Sequence, residues 1–206
     1  MIKNYIKDGF GVIHQLKHDR YLYNVDYVTR NLGPLGEKLT QMSHLRLGYI
    51  TGSIGRVPYS VLDVGYGDGA FLKACRSIIN NCYGNDISTY PVPMHCLFIE
   101  NILDVRVDVI TFFDSLEHFE DISFLADLQC NYVSISVPWC HYYSDEWFKQ
   151  WKHRKPDEHL KHFSKDALIA IFDHYGFSLI NTCGIEDVIR KGDANNILTA
   201  TFKKRQ

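Results

Sequence analysis

"SVLDVGYGDGAF", residues 60–71, is the stretch that decides how the chain is read. An apolar run ends in Asp63, then Gly65, Gly67 and Gly69 follow at alternate positions, and apolar residues resume. The run before the glycines reads as a short buried strand, and Phe71, Leu72 and Cys75 after them have helical spacing. Glycines let the backbone turn sharply and approach a ligand without a Cβ in the way. The helix that follows presents unpaired N–H groups. Strand, carboxylate, bare turn and helix in that order point to a nucleoside-bearing cofactor.

Outward from this turn, strand and helix signals alternate. "NCYGNDI" ends a second strand at Asp86, "MHCLFIE" is a third, "VDVITFFD" a fourth and "YVSISVP" a fifth. "ISFLADLQ" reads as helical, and "SKDALIAIFDHYG" as a well-marked helix with Ser164 as N-cap and Gly176 as stop. "FSLINTCG" and "NNILTATFKK" supply two closing strands. The pattern predicts an α/β fold, a Rossmann-like, mostly parallel seven-stranded sheet with helices on both faces. In such sheets ligands sit at the carboxyl ends of the strands, near the switch in strand order. Asp63, Asp86 and Asp114 all fall at such ends.

Residues 1–57 differ: they are rich in Tyr, His, Lys and Arg, with weak helical periodicity through Leu35, Leu39, Met42, Leu45, Leu47 and Ile50, broken at Gly33-Pro34. We read 1–57 as an N-terminal helical segment, a cap or packing extension of two or three helices, and 58–206 as the cofactor-binding domain. The chain has 206 residues, 46% hydrophobic and 22% charged, which is ordinary globular composition. A net charge of −2 argues against recruitment of nucleic acid or anionic membrane. No stretch approaches the roughly 20 apolar residues of a membrane span. Cys75, Cys82, Cys96, Cys130, Cys140 and Cys183 form no C-x-x-C pair and lie largely in apolar runs, so a reducing, cytoplasmic setting is expected.

Two cofactor patterns overlap in the turn. Gly65 to Ala70 fits the dinucleotide pattern G-x-G-x-x-A, and Asp63 to Gly69 reads D-x-G-x-G-x-G. A pyrophosphate is disfavoured by Asp63 and Asp68 beside the turn, whereas the ammonium and sulfonium of S-adenosylmethionine are attracted to carboxylates. Asp86, 19 residues after Gly67, suits the ribose hydroxyls of either cofactor.

The D-x-G-x-G-x-G stretch resembles the first motif of class I S-adenosylmethionine-dependent methyltransferases. "GNDIS" resembles their second motif, which implies Asp86 on the ribose and Ile87 against the adenine. "DVITFFDSLEHFED" is similar to the fourth-strand motif of a subgroup reading D-x-h-x-x-x-x-x-L-E-H, and "SISVP" to its fifth-strand ending. "DEHLKHFSKDALIAIFDHYGFSLI" is similar to its E-H-L-x-x-F segment. The resemblance spans roughly residues 58–203 and implies S-adenosylmethionine as cofactor, held by Asp63, Gly65, Tyr66, Gly67, Asp68, Gly69, Asp86 and Ile87, with Asp114 and Ser115 at the fourth strand's end. Tyr66 replaces a usually small residue, which puts its ring at the pocket. The third strand's acidic position falls at Glu100 or Asn101, and Asn101 is taken as the cofactor contact.

Glu117, His118 and His159 are the candidate catalytic residues. An imidazole titrates near neutrality, which suits a general base, so His118 is read as base or substrate ligand, with His159 of "HLKHF" as the next candidate. Asp68 serves equally well as a helix cap. Asp114, Glu117 and His118 have the i, i+3, i+4 spacing of a metal site on a helix, as in some ubiquinone-pathway O-methyltransferases. Because Asp114 ends a strand, no metal is expected. The aromatic run "WCHYYSDEWFKQW", 139–151, reads equally as a substrate lid or as packing for the N-terminal segment. The N/D-P-P-Y/F motif of amino-group DNA methyltransferases is absent at the fourth strand. Small-molecule O-methylation is therefore the expected activity. A protein or nucleic-acid acceptor, a cofactor-binding partner subunit without turnover and an NAD-dependent oxidoreductase remain as alternatives.

Overall fold

The glycine turn leaves β3 (Ser60–Val64) at the middle of a seven-stranded sheet. The structure, a computed structural model, describes residues 1–19, 21–32, 36–190 and 195–205. The Gly33-Pro34 break and Leu35 lie outside the described residues. Beside β3 stand β4 (Asn81–Asn85) and β5 (Leu97–Phe98) on one side. On the other stand β6 (Val107–Phe113), β7 (Cys130–Pro138), β10 (Ile197–Lys204) and β9 (Phe177–Cys183), in that order. Pairings from β5 through β7 are parallel; β10 is antiparallel to both its neighbours. Strand order reverses between β3 and β6, so the segments that leave these two strands face each other at the switch point.

Alternation along the central strands feeds two cores. Leu62 and Val64 of β3 join Ile110 and Phe112 of β6 with Leu168 and Phe172 of α5 (Lys165–His174). Val61, Val109 and Phe113 point the other way, into a cluster with Phe71, Leu72 and Cys75 of α3 (Ala70–Arg76). Helix α5 has the caps that its sequence predicts: Ser164 Oγ accepts from Ala167 N at 3.1 Å, and Gly176 takes φ +85° just past its end.

Three elements depart from expectation. The third strand shrinks to Leu97–Phe98, because Met94, Leu97 and Phe98 are exposed at the sheet edge and have no second neighbour to bury them. "ISFLADLQ" becomes a 3₁₀ turn, Ser123–Asp127. The N-terminal segment holds α1 (Val25–Asn31) and α2 (Gly36–Ile54), but it starts as a hairpin instead of a helix. Its strands β1 (Tyr5–Lys7) and β2 (Ile13–Gln15) pair with each other, and β2 pairs in turn with β8 (Lys161–His162), setting His14 opposite Lys161. Tyr5 and Ile13 bury themselves there with Cys140 and Phe148 of the aromatic run. Phe148 lies on the short α4 (Asp145–Gln150). No helix among the described residues is long and apolar enough to cross a membrane.

Candidate active site

The turn after β3 uses all three glycines at positive φ: Gly65 at +82°, Gly67 at +56° and Gly69 at +74°. A Cβ on Gly65 would stand 2.7 Å from Ser115 Cβ, and one on Gly67 would stand 2.7 Å from Leu32 Cδ1. The turn therefore touches the segment leaving β6 on one side and the end of the N-terminal helix α1 on the other. Ser115 Oγ donates to Val64 O at 2.7 Å and ties the two strand ends together.

Asp86 follows β4 and accepts from Gly67 N at 2.8 Å and from Ser88 N at 2.7 Å. Next to it Ile87 leaves 74% of its surface exposed, an apolar face beside the turn. A bare glycine turn, a carboxylate at the next strand's end and an unpartnered aliphatic side chain suit the ribose and base of a nucleoside.

Several expected cofactor contacts are occupied elsewhere. Asp63 is buried and accepts from Thr111 Oγ1 at 2.6 Å across the β3–β6 pair. Burial raises its carboxyl to about 6, with Asp86 and Asp68 adding to the rise and Thr111 and Arg46 opposing it. Tyr66 turns into the core instead of lining a pocket; its hydroxyl donates to Tyr90 O and its ring lies against Gly84. Asp68 accepts from Ala70 N at 3.0 Å, the capping alternative. Asn101 closes a local turn through Leu103 N and Asp104. Asn85, unsignalled by sequence, instead donates to Ile99 O and Glu100 O.

Asp114, at φ +54°, is held by two arginines. Its Oδ2 lies 2.6 Å from Arg46 Nη2 and 2.5 Å from Arg190 Nη2, and both arginines also bind the fully buried Glu186. Burial would raise the Asp114 carboxyl, but Arg190 and Arg46 outweigh it and hold it well below the usual carboxylate range. Arg46 comes from α2, and Arg190 from α6 (Asp187–Arg190). The Asp114–Glu117–His118 set therefore does not form: its first member is neutralised by two cations.

His159 takes the third place. Leu160 N donates to Glu117 O at 2.8 Å, pinning the 159–160 backbone against the 3₁₀ turn Leu116–His118. The His118 and His159 rings lie 4.8 Å apart at 80°. One ligand-type atom from each of Glu117, His118 and His159 falls within 4.8 Å of the others. His118 Nδ1 is 2.7 Å from Glu158 O, and His159 Nδ1 is 2.7 Å from His153 O. Carbonyl oxygens only accept, so each Nδ1 carries the proton and each Nε2 keeps its lone pair. Tyr23 Oη also reaches His118 Nδ1 at 2.7 Å. Burial lowers the pKa of both imidazoles, that of His159 to about 2, so both are neutral at pH 7. Burial, then the charge of Asp114, raises the Glu117 carboxyl well above its usual value.

The sequence matches the family described as "Methyltransferase domain" over residues 16–182. The chain belongs to that family. The methyltransferase match begins well before residue 58, inside the N-terminal segment. No curated protein matches the sequence. Among solved structures, the methyltransferase resembles the Burkholderia thailandensis 1,6-didemethyltoxoflavin-N1-methyltransferase with bound S-adenosylhomocysteine, at TM-score 0.62 and 14% identity, covering 95% of this chain and 96% of that one. It also resembles the magnesium protoporphyrin IX methyltransferase of Synechocystis PCC 6803 with bound S-adenosylhomocysteine, at TM-score 0.58 and 16% identity, covering 90% of each chain. The N-methyltransferase NodS of Bradyrhizobium japonicum WM9 aligns at TM-score 0.54 and 13% identity, covering 86% of this chain and 99% of that one. The protein is an S-adenosylmethionine-dependent methyltransferase with a Rossmann-like fold. Tyr23, Leu32 and Arg46 reach this methyltransferase's site from a region without recognisable motifs, and no local sequence signal marks them.

Proposed function

We propose that this methyltransferase acts on a hydroxyl group of a small molecule bound over Glu117, His118 and His159, with the cofactor on the glycine turn. The observation that carries the reading is the convergence of two imidazoles and a carboxyl group, with one ligand-type atom of each within 4.8 Å of the others, beside the segment that abuts Gly65. A hydroxyl must lose its proton as it is methylated, whereas a neutral amine attacks without prior deprotonation.

Each residue then has a role. A carboxylate has about four lone-pair sites; Asp86 uses two on Gly67 and Ser88, which leaves sites for the ribose hydroxyls. Ile87 covers the adenine. S-adenosylmethionine, when bound, supplies a methyl group on a positively charged sulfur. His118 Nε2 orients the acceptor's O–H and takes its proton as the O–CH₃ bond forms and the S–CH₃ bond breaks, its electron pair returning to sulfur. The N-terminal segment caps the cleft, with Tyr23 fixing the far nitrogen of His118 and Leu32 covering the turn.

A cavity of about 490 Å³ supports a ring-bearing acceptor. Trp139, His141, Tyr143, Trp147 and Trp151 line it. His141 stacks on Tyr143 at 6°, and Trp147 on Trp151 at 23°. It adjoins the cluster through Asn196, which binds His153 Nε2 at 2.9 Å, the residue whose carbonyl holds His159. Flat aromatic walls suit a planar ring or the apolar face of a sugar.

The test is a panel of phenols, sugars and amines incubated with S-adenosylmethionine, read as S-adenosylhomocysteine release and product mass. We expect an O-methylated product, and His118→Ala should lower kcat about 10²–10⁴-fold with S-adenosylhomocysteine affinity retained. Turnover confined to amines, or an undiminished kcat in His118→Ala, would overturn the assignment.

A further inference from the structure

We infer that the aromatic cavity beside the site binds a sugar ring, so that the acceptor is a glycoside. The role as acceptor rests on the hydroxyl reading above; the binding of a sugar does not.

The run 139–151 sorts its side chains by face. Cys140, Tyr142 and Phe148 pack with the β1–β2 hairpin. Trp139, His141 and Tyr143, at every second position, line the cavity instead, together with Trp147 of α4 and Trp151 at its end. The chain has three tryptophans, and all three stand at this one cavity. None of them is fully buried, and Tyr143 is 74% exposed. Large aromatic faces gathered in an open concavity mark a binding site.

Ring geometry separates a sugar from a flat ring. A planar ligand held between two aromatic faces needs them about 7 Å apart, twice a carbon–carbon contact of about 3.5 Å. Here the near-parallel rings stack on each other: Trp139 and His141 at 5.1 Å and 26°, His141 and Tyr143 at 5.5 Å and 6°, Trp147 and Trp151 at 5.3 Å and 23°. No slot for a flat ring remains within either stack. The two stacks meet at nearly a right angle, Tyr143 against Trp147 at 79° and His141 against Trp147 at 75°. Such a corner fits a thick, puckered ring, whose C–H face lies on one wall while its exocyclic carbon lies on the other. The sugar hydroxyls then meet Gln150, Asn195 and Asn196, which also line the cavity. A carboxamide both donates and accepts, as a hydroxyl does. A cationic ligand is the other common guest of aromatic walls. It is disfavoured here, because Lys152 and no carboxylate lines the cavity among the described residues.

The three indole N–H signals of the isotope-labelled full chain report on this cavity directly and are followed by NMR. The probes are methyl hexopyranosides, short linear oligosaccharides, phenols and nucleosides. Expected are saturable shifts with the hexopyranosides at millimolar or lower concentration. Tighter binding of the oligosaccharides would make the source of the ring a glycan chain, and equal binding a free glycoside; both support the sugar. Tyr143→Ala, at an exposed position, should weaken the glycoside by at least about threefold while S-adenosylhomocysteine binds as before. Phenols or nucleosides that saturate the signals at lower concentration than any glycoside overturn the inference. So does the absence of any shift with sugars, or a glycoside affinity that Tyr143→Ala leaves unchanged. A phenol O-methylated without sugar binding would overturn the cavity's assignment and leave the hydroxyl reading standing. Glycoside binding without methyl transfer would do the reverse.

Discussion

Among single residues, Asp63 shows how a carboxylate marked by the sequence for its charge also has a partner inside the sheet. The sequence marks it because a carboxylate before a glycine turn attracts a cationic ligand. The structure buries it against Thr111, a partner that no local pattern reveals because strand pairing makes it. Its raised pKa has a definite consequence. With about 6 in the folded chain against 3.8 as its ordinary value, the folded state keeps this proton to higher pH than the unfolded state does. Stability from this group is therefore greatest below pH 4, falls as pH rises to about 6, and stays at the lower level beyond. The full effect is about 3 kcal/mol. Asp63→Asn, whose amide oxygen still accepts from Thr111, removes the ionisation. Urea unfolding of both proteins from pH 4 to 7 should show the variant gaining on the wild type by up to about 3 kcal/mol across that window. A difference that stays constant with pH would show that Arg46 already compensates the charge.

Secondary-structure elements were legible where burial is continuous. β3, β6 and β7 are runs of apolar residues, and their lengths follow from sequence because both faces are covered. β5 was legible as a strand but not in its length, because it is an exposed edge, and the β1–β2 hairpin was not legible, because it depends on a partner strand, β8, distant in sequence. The exit from α2 shows another non-local device. Arg56 places Nη1 and Nη2 at 2.6 and 2.9 Å from the Asp108 oxygens at the start of β6. Tyr59 N and Asn131 Nδ2 add bonds at 2.9 Å each. Burial would raise the Asp108 carboxyl, but these partners lower it on balance. Arg56→Met strands a carboxylate that is 2% exposed. Stranding a buried charge costs about 3–5 kcal/mol; because Arg56 is one-third exposed, about 2–4 kcal/mol is expected. Denaturant unfolding measures it, and a loss below about 1 kcal/mol would mean that solvent screens the pair.

Taken whole, the molecule places its candidate site where distant segments meet, which is why the site was only half legible. Glu117 and His118 stand in one motif and His159 in another, and all three were read from the sequence, but Tyr23 and Arg46 reach the site through chain closure alone. The same closure bears on the boundary read at residues 57 and 58. Leu47 and Ile50 of α2 belong to one cluster with Val61, Phe71 and Val109, and Arg46 neutralises Asp114 and Glu186 at the strand ends. Burying Leu47, Tyr49 and Ile50 contributes about 5–9 kcal/mol, comparable with the whole stability of a domain at about 5–15 kcal/mol. A fragment of residues 58–206 also loses Arg46 and leaves the buried Glu186 with Arg190 as its remaining cation among the described residues. We therefore expect that fragment to show no cooperative thermal transition and to bind no S-adenosylhomocysteine. Adding residues 1–57 as a separate peptide should restore neither in full, since β1–β2 must pair with β8 and α2 must pack on α3 together. A fragment that melts cooperatively and binds the ligand would make residues 1–57 a dispensable cap. It would also move the origin of the site's order into the sheet itself.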